Sequence, residues 1–130
     1  MANATAPETK GADRTVQVDV KSIRATTDLL LSPDPGFPGI GEEDNWETLY
    51  LLLRGLIMTL IPQVEIRMMG LPESDVPRAC ASACIGEAQM RLRIGLGDQQ
   101  GVRIAVAQRL ARSVKALLDH YENLASESHT

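Results

Sequence analysis

Apolar residues recur three and four apart along most of this chain, the period of an amphipathic helix and not of a strand. In DVKSIRATTDLLLS, Val20, Ile23, Thr27 and Leu30 share one face and Asp19 stands at the N-cap position, so a helix is expected from Asp19 to about Leu31. SPDPGFPGIGEED then breaks the pattern, because its three prolines and three glycines continue neither a helix nor a ladder. The acids between Glu42 and Asn45 suit the positive end of a helix dipole, and the second helix is expected to open there.

That second helix carries an apolar stripe of Trp46, Leu49, Tyr50, Leu53, Ile57, Leu60 and Val64, while Leu51, Leu52, Leu56 and Ile61 lie off it. A helix apolar nearly all round has to be covered on more than one side. A chain of 130 residues has little to cover it with, so a homodimer with this helix at its centre is expected. Pro62 should kink it, since the ring removes a donor and clashes with the Met58 carbonyl, and Gly70, Leu71 and Pro72 should end it.

Ser74 is the expected cap of a third helix, with Pro77 tolerated in the first turn and the stop at Gly95 to Gly97. Asp98 is the expected cap of the last helix, whose seam Ala107, Leu110, Val114, Leu117, Tyr121 and Leu124 alternates spacings of three and four. The expected fold class is all-α: a four-helix arrangement with a kinked, broadly apolar second helix, paired as a helical homodimer. One helical domain over residues 15–125 is expected, between disordered tails at 1–14 and 126–130.

Composition agrees with helices. Hydrophobic residues make up 44% of the chain but only Phe37, Trp46, Tyr50 and Tyr121 are aromatic, so aliphatic packing must form the core. The opening MANATAPETKGADR has no apolar stretch of the secretory type, which points to a cytoplasmic protein. LYLLLRGLIMTLI contains Arg54 and, taken alone, is too short to span a bilayer, so no membrane partner is expected.

A net charge of −4 argues against nucleic acid as a partner. The charge is unevenly placed, however: five acids and no base lie between Asp34 and Thr48, whereas seven bases and two acids lie between Val76 and Leu118. Either the acidic segment packs near the basic helices, or those helices present an anion-binding face to an acidic peptide or phosphate.

Cys80 and Cys84, in PRACASAC, fall on one helical face with Cα atoms about 6 Å apart and parallel Cβ vectors, a poor disulfide geometry. A zinc site would need two further ligands, and His120 and His129 offer little; a small-residue packing face with Ala79, Ala81, Ala83 and Ala88 is the simpler reading, a reactive thiol the other. No metal and no cofactor is expected. His120 next to Asp119 invites acid–base chemistry, but adjacent helical residues do not face one another. Glu87 and Arg91 form an i, i+4 pair, Arg109 with Arg112 could grip a carboxylate, and Phe37 either plugs the core edge or belongs to a lid. Gly95 and Gly97 lack the strand and third glycine of a dinucleotide site.

DVPRACASACIGEAQMRLRIGLGD, followed by VRIAVAQRLARSVKALLDHYENL, resembles a group of small actinobacterial natural-product biosynthesis proteins related to the enzymes that form the lysinoalanine bridge of duramycin- and cinnamycin-type lantibiotics. The resemblance is strong over the C-terminal half and weaker through TDLLLSPDPG and the second helix. It implies addition of a substrate lysine amine to dehydroalanine. Holding that amine neutral at neutral pH costs on the order of 4 to 5 kcal/mol, and few bases here could help, so the expected role is a conformational template that lets proximity do the work. Catalytic residues are not assigned, Glu87 and His120 being weak candidates. The expected substrate contacts are Phe37, Trp46, Tyr50, Arg54, Met68, Met69, Arg91, Arg112 and Tyr121. The alternative is a non-catalytic helical dimer that binds a peptide or protein partner; a small DNA-binding regulator is a third reading.

Overall fold

The computed structural model of the chain describes residues 18–32, 43–97 and 100–128, and among them it holds four α-helices and no strand. Phe37, Asp98 and residues 1–17 lie outside the described residues. Helix α1 (Val20–Leu30) is capped by Asp19, whose carboxylate accepts from the Ser22 N–H at 3.2 Å. Hydrogen bonds from the Ser22 backbone and hydroxyl hold that carboxyl below its ordinary range. Helix α2 (Glu43–Met68) runs continuously through Pro62.

Helix α3 (Val76–Arg91) differs from expectation at both ends. Asp75, not Ser74, is the cap, because its carboxylate reaches the Arg78 N–H at 2.9 Å, and Val76 with Pro77 fills the first turn. The regular helix stops at Arg91, before the glycines, and tightens into turn bonds from Arg93 N–H to Met90 O and from Ile94 N–H to Arg91 O, both 3.1 Å. The freed carbonyls have partners on α2: Arg54 donates to Leu92 O, and the Tyr50 hydroxyl donates to Ile94 O at 2.6 Å. Helix α4 (Gln100–Ser128) passes the expected end near Leu124 and enters the stretch expected to be tail. Asp75→Ala should cost about 1 kcal/mol, the usual worth of an N-cap, as a lowered midpoint in urea.

The helices alternate in direction. Arg24 of α1 pairs with Asp119 and Glu122 of α4, while Gln108 donates to Leu30 O, so α1 runs antiparallel to α4. Arg67 donates to Tyr121 O at one end of α2 and Tyr50 reaches the α3–α4 connection at the other, so α2 runs parallel to α4. Helix α3 runs back antiparallel to α4, its C-terminal Arg91 meeting Arg109 near the start of that helix.

Helix α4, and not α2, is the hub: it packs on α1, α2 and α3, whereas α1 touches neither α2 nor α3. Its expected seam is buried except for the half-buried Tyr121, and Val106, Ala111, Ser113 and Leu118 are buried beside it. That wider arc is what three neighbours require. Against it α2 sets Trp46, Leu49, Leu53, Ile57, Leu60 and Val64, and α3 sets Ala81, Ile85 and Ala88. Each such large side chain contributes about 1.5 to 3 kcal/mol on leaving water. The α3–α4 connection turns at Gly97, at φ +87°, where an added Cβ would stand 2.8 Å from Val102 Cγ1. Gly97→Ala should therefore cost on the order of 1 to 3 kcal/mol and lower the melting temperature.

Candidate functional site

The expected substrate contacts do not converge. Trp46 is buried in the core, 2% exposed. Tyr50 and Arg54, with the guanidinium 5.7 Å from the ring centroid, hold the end of α3. Met68 and Tyr121 lie at the far end of α2, about 27 Å away along a helix rising 1.5 Å per residue. There Arg67 stacks 3.4 Å over the Tyr121 ring centroid and donates to its carbonyl. Arg91 crosses to α4, donating to Arg109 O at 3.1 Å and Ser113 Oγ at 3.0 Å. Only Met69, 76% exposed, and the exposed Arg112 stand free of the packing. The arginines at 24, 54, 67, 78 and 91 act as struts that satisfy carbonyls or carboxylates between elements. In a chain so poor in aromatics this is how helix ends are tied down.

The candidates for chemistry lie on α3 and α4. The Glu87 side chain is 64% exposed and lies 3.6 Å from Arg91, while His120 is half-buried on α4. Cys80 and Cys84 are free thiols, the first exposed and the second packed partly against the core. Burial, and then the charge of Glu87, raise the Cys84 thiol above its ordinary range, with Arg91 pulling the other way. A raised thiol is a poor nucleophile at neutral pH. Iodoacetamide at pH 7.5 should therefore alkylate Cys80 well before Cys84, read by peptide mass mapping. Of the expected small-residue face, Ala81 and Ala88 do meet the core, but Ala79 and Ala83 point to solvent. No group of three His, Cys, Asp or Glu residues among those described could hold a metal ion.

What the structure does assemble is an apolar surface. Of the nine large hydrophobic side chains left exposed among the described residues, seven lie on α2, α3 or the turn between them: Leu51, Leu52, Met58, Ile66, Met69, Val76 and Met90. Two of the four residues expected off the α2 stripe find cover within the chain, Ile61 fully and Leu56 partly. Leu51 at 58% and Leu52 at 49% exposure do not. With Thr48, Gly55, Met58, Thr59, Pro62, Ile66 and Met69 they form an outer face without a charged residue, Glu47 and Glu65 lying at its margin. Gly55 stands at its centre, with nothing within 4 Å of where a Cβ would be. Sequence reasoning singled out Leu51 and Leu52 but missed Met58 and Ile66, whose signal was the lack of any charge on the side away from the stripe, and Met90 on α3.

By length and composition Trp46–Met68 is apolar enough to cross a bilayer, a correction to the shorter stretch considered from sequence. Its inner face is the protein core, however, with Leu53, Ile57 and Val64 wholly buried against the other helices.

A small all-α protein whose four described helices are built around the last of them is the class these observations define. The chain belongs to the family of unknown function DUF6415, whose family model matches residues 21–126. No curated protein and no solved structure matches it.

Proposed function

We propose that this chain is a helical homodimer, paired through the outer face of α2, that binds a peptide or protein partner. The observation that carries the pairing is the uncharged outer face from Thr48 to Met69, since a helix face left to water is ordinarily charged. Half the lateral surface of such a helix, about 33 Å long and about 11 Å across, is roughly 570 Å². Two copies would then bury about 1,100 Å², at the lower limit for a specific interface, which makes the dimer reversible rather than obligate. Gly55 lets the backbones approach closely, and a bend at Pro62 would curve the paired faces around one another.

Templating of a lysinoalanine cross-link, the activity implied by the resemblance, is kept as an alternative use of the same dimer. It needs an acceptor for the lysine proton, and Glu87 is exposed to solvent and paired with Arg91, so binding without catalysis is the reading adopted. Incubation with a dehydrated, thioether-cyclised peptide, followed by tandem fragmentation, separates the two.

The pairing is tested with Thr59→Cys in a chain whose Cys80 and Cys84 are replaced by serine. A short bismaleimide should link two such chains, whereas Arg112→Cys in the same background should stay uncrosslinked. Equal linking of both would refute the α2 pairing. So would a chain that remains monomeric and floats with phospholipid vesicles, which would assign the face to lipid.

A further inference from the structure

The groove at the C-terminal end of α3 has an apolar floor and a basic border. It is an open depression of ≈ 660 Å³ lined by Ala83, Gly86, Glu87, Met90, Arg91 and Ile94. Gly86 leaves a gap in the helix surface, with nothing within 4 Å of its missing Cβ. Met90 stands beside it, 67% exposed, and its flexible thioether can close over whatever fills the gap. Arg91, on its border, lies on the flank of α3 turned to α4.

Its own lining carries one base and one acid, Arg91 and Glu87, and further bases stand beyond it. Arg91 ties the border to α4 at Arg109 O, which brings the exposed Arg109 alongside, with the exposed Arg112 one turn further on the same face. Arg93 is exposed two residues beyond Arg91. Glu87 is the one acid lining the groove, and Arg91 lies 3.6 Å from it. Arginine forks match carboxylates, and exposed guanidinium groups add rate and charge selectivity more than raw affinity.

We propose that this groove takes a short amphipathic peptide segment of a partner protein, one bulky apolar side chain seating over Gly86 and flanking Asp or Glu residues meeting Arg93, Arg109 and Arg112. The proposal rests on the reading of the chain as a binding protein and gives that reading a site and a charge. It is independent of the α2 face.

The test uses the full chain as bait for a displayed random dodecapeptide library. Enriched peptides should combine Leu, Ile, Met or Phe with a net negative charge, and their affinity should fall as salt is raised. Gly86→Trp fills the gap at an exposed position and should weaken the enriched peptides on the order of tenfold or more in fluorescence anisotropy, with thermal unfolding unchanged. Arg109→Glu with Arg112→Glu should do the same from the border without touching the floor. Enriched peptides that are basic, or that bind both variants like the parent, would overturn the groove while leaving a binding function elsewhere. Enrichment no better than background would overturn the groove and the binding function together; neither result bears on sedimentation of the dimer.

Discussion

Replacing Leu117 with alanine should destabilise the chain by about 3 kcal/mol, within the range of about 2 to 5 for burying a cavity in a packed core. Leu117 is wholly buried on α4, the one helix that touches the other three. A cavity there loosens the site where α4 meets its neighbours, and so little backbone freedom exists at the hub that relaxation cannot refill it. Since domains of this kind hold only about 5 to 15 kcal/mol in total, the loss is a large share of the fold. The urea midpoint should drop with the slope unchanged, measured at one fixed protein concentration because the proposed dimerisation would add to apparent stability. Leu51→Ala, at an outer position, should shift it by less than about 0.5 kcal/mol in the monomer. A Leu117 cost below about 1 kcal/mol would mean that α4 is not the organising helix.

The second large effect concerns the outer face of α2. Leu52→Glu combined with Met58→Glu should weaken self-association at least about a hundredfold, because each carboxylate would lose water on pairing and would face its own copy across the two-fold axis. Both positions are about half-exposed, at 49% and 57%, so the subunit itself should keep its helicity and melting behaviour. The paired change separates folding from association, which a core substitution cannot do.

Much of the architecture was legible because helix period, caps and breakers are local signals. Asp19 and its Val20, Ile23, Thr27 and Leu30 face, and the turn around Gly70 to Pro72, follow from neighbours in sequence. The end of α3 did not, because what stops it at Arg91 is a pair of donors from Tyr50 and Arg54, about forty residues away. The hub of the single chain, α4, was not legible for a similar reason. The run of Leu and Ile in α2 drew attention by hydrophobicity, whereas the centrality of α4 lay in the width of its pattern, with Val106, Ala111 and Leu118 adding to the seam. Ala107, Ala111 and Ser113 there carry little hydropathy but permit close packing.

The site was less legible than the fold. Tyr50, Arg54, Arg91 and Tyr121 looked like ligand contacts because amphipathic side chains at helical spacing suit either role. Within the chain the two arginines and Tyr50 donate to main-chain carbonyls, partners that helical spacing does not reveal. The exposed face of α2 was foreshadowed by Leu51 and Leu52, since an excess of apolar positions on a helix is visible without knowing what covers them.

Sedimentation of the full-length chain across roughly 1 to 500 μM tests the central claim most directly. The α2 face predicts a reversible monomer–dimer equilibrium within that window, abolished by the paired glutamate change. A single subunit at every concentration would contradict it.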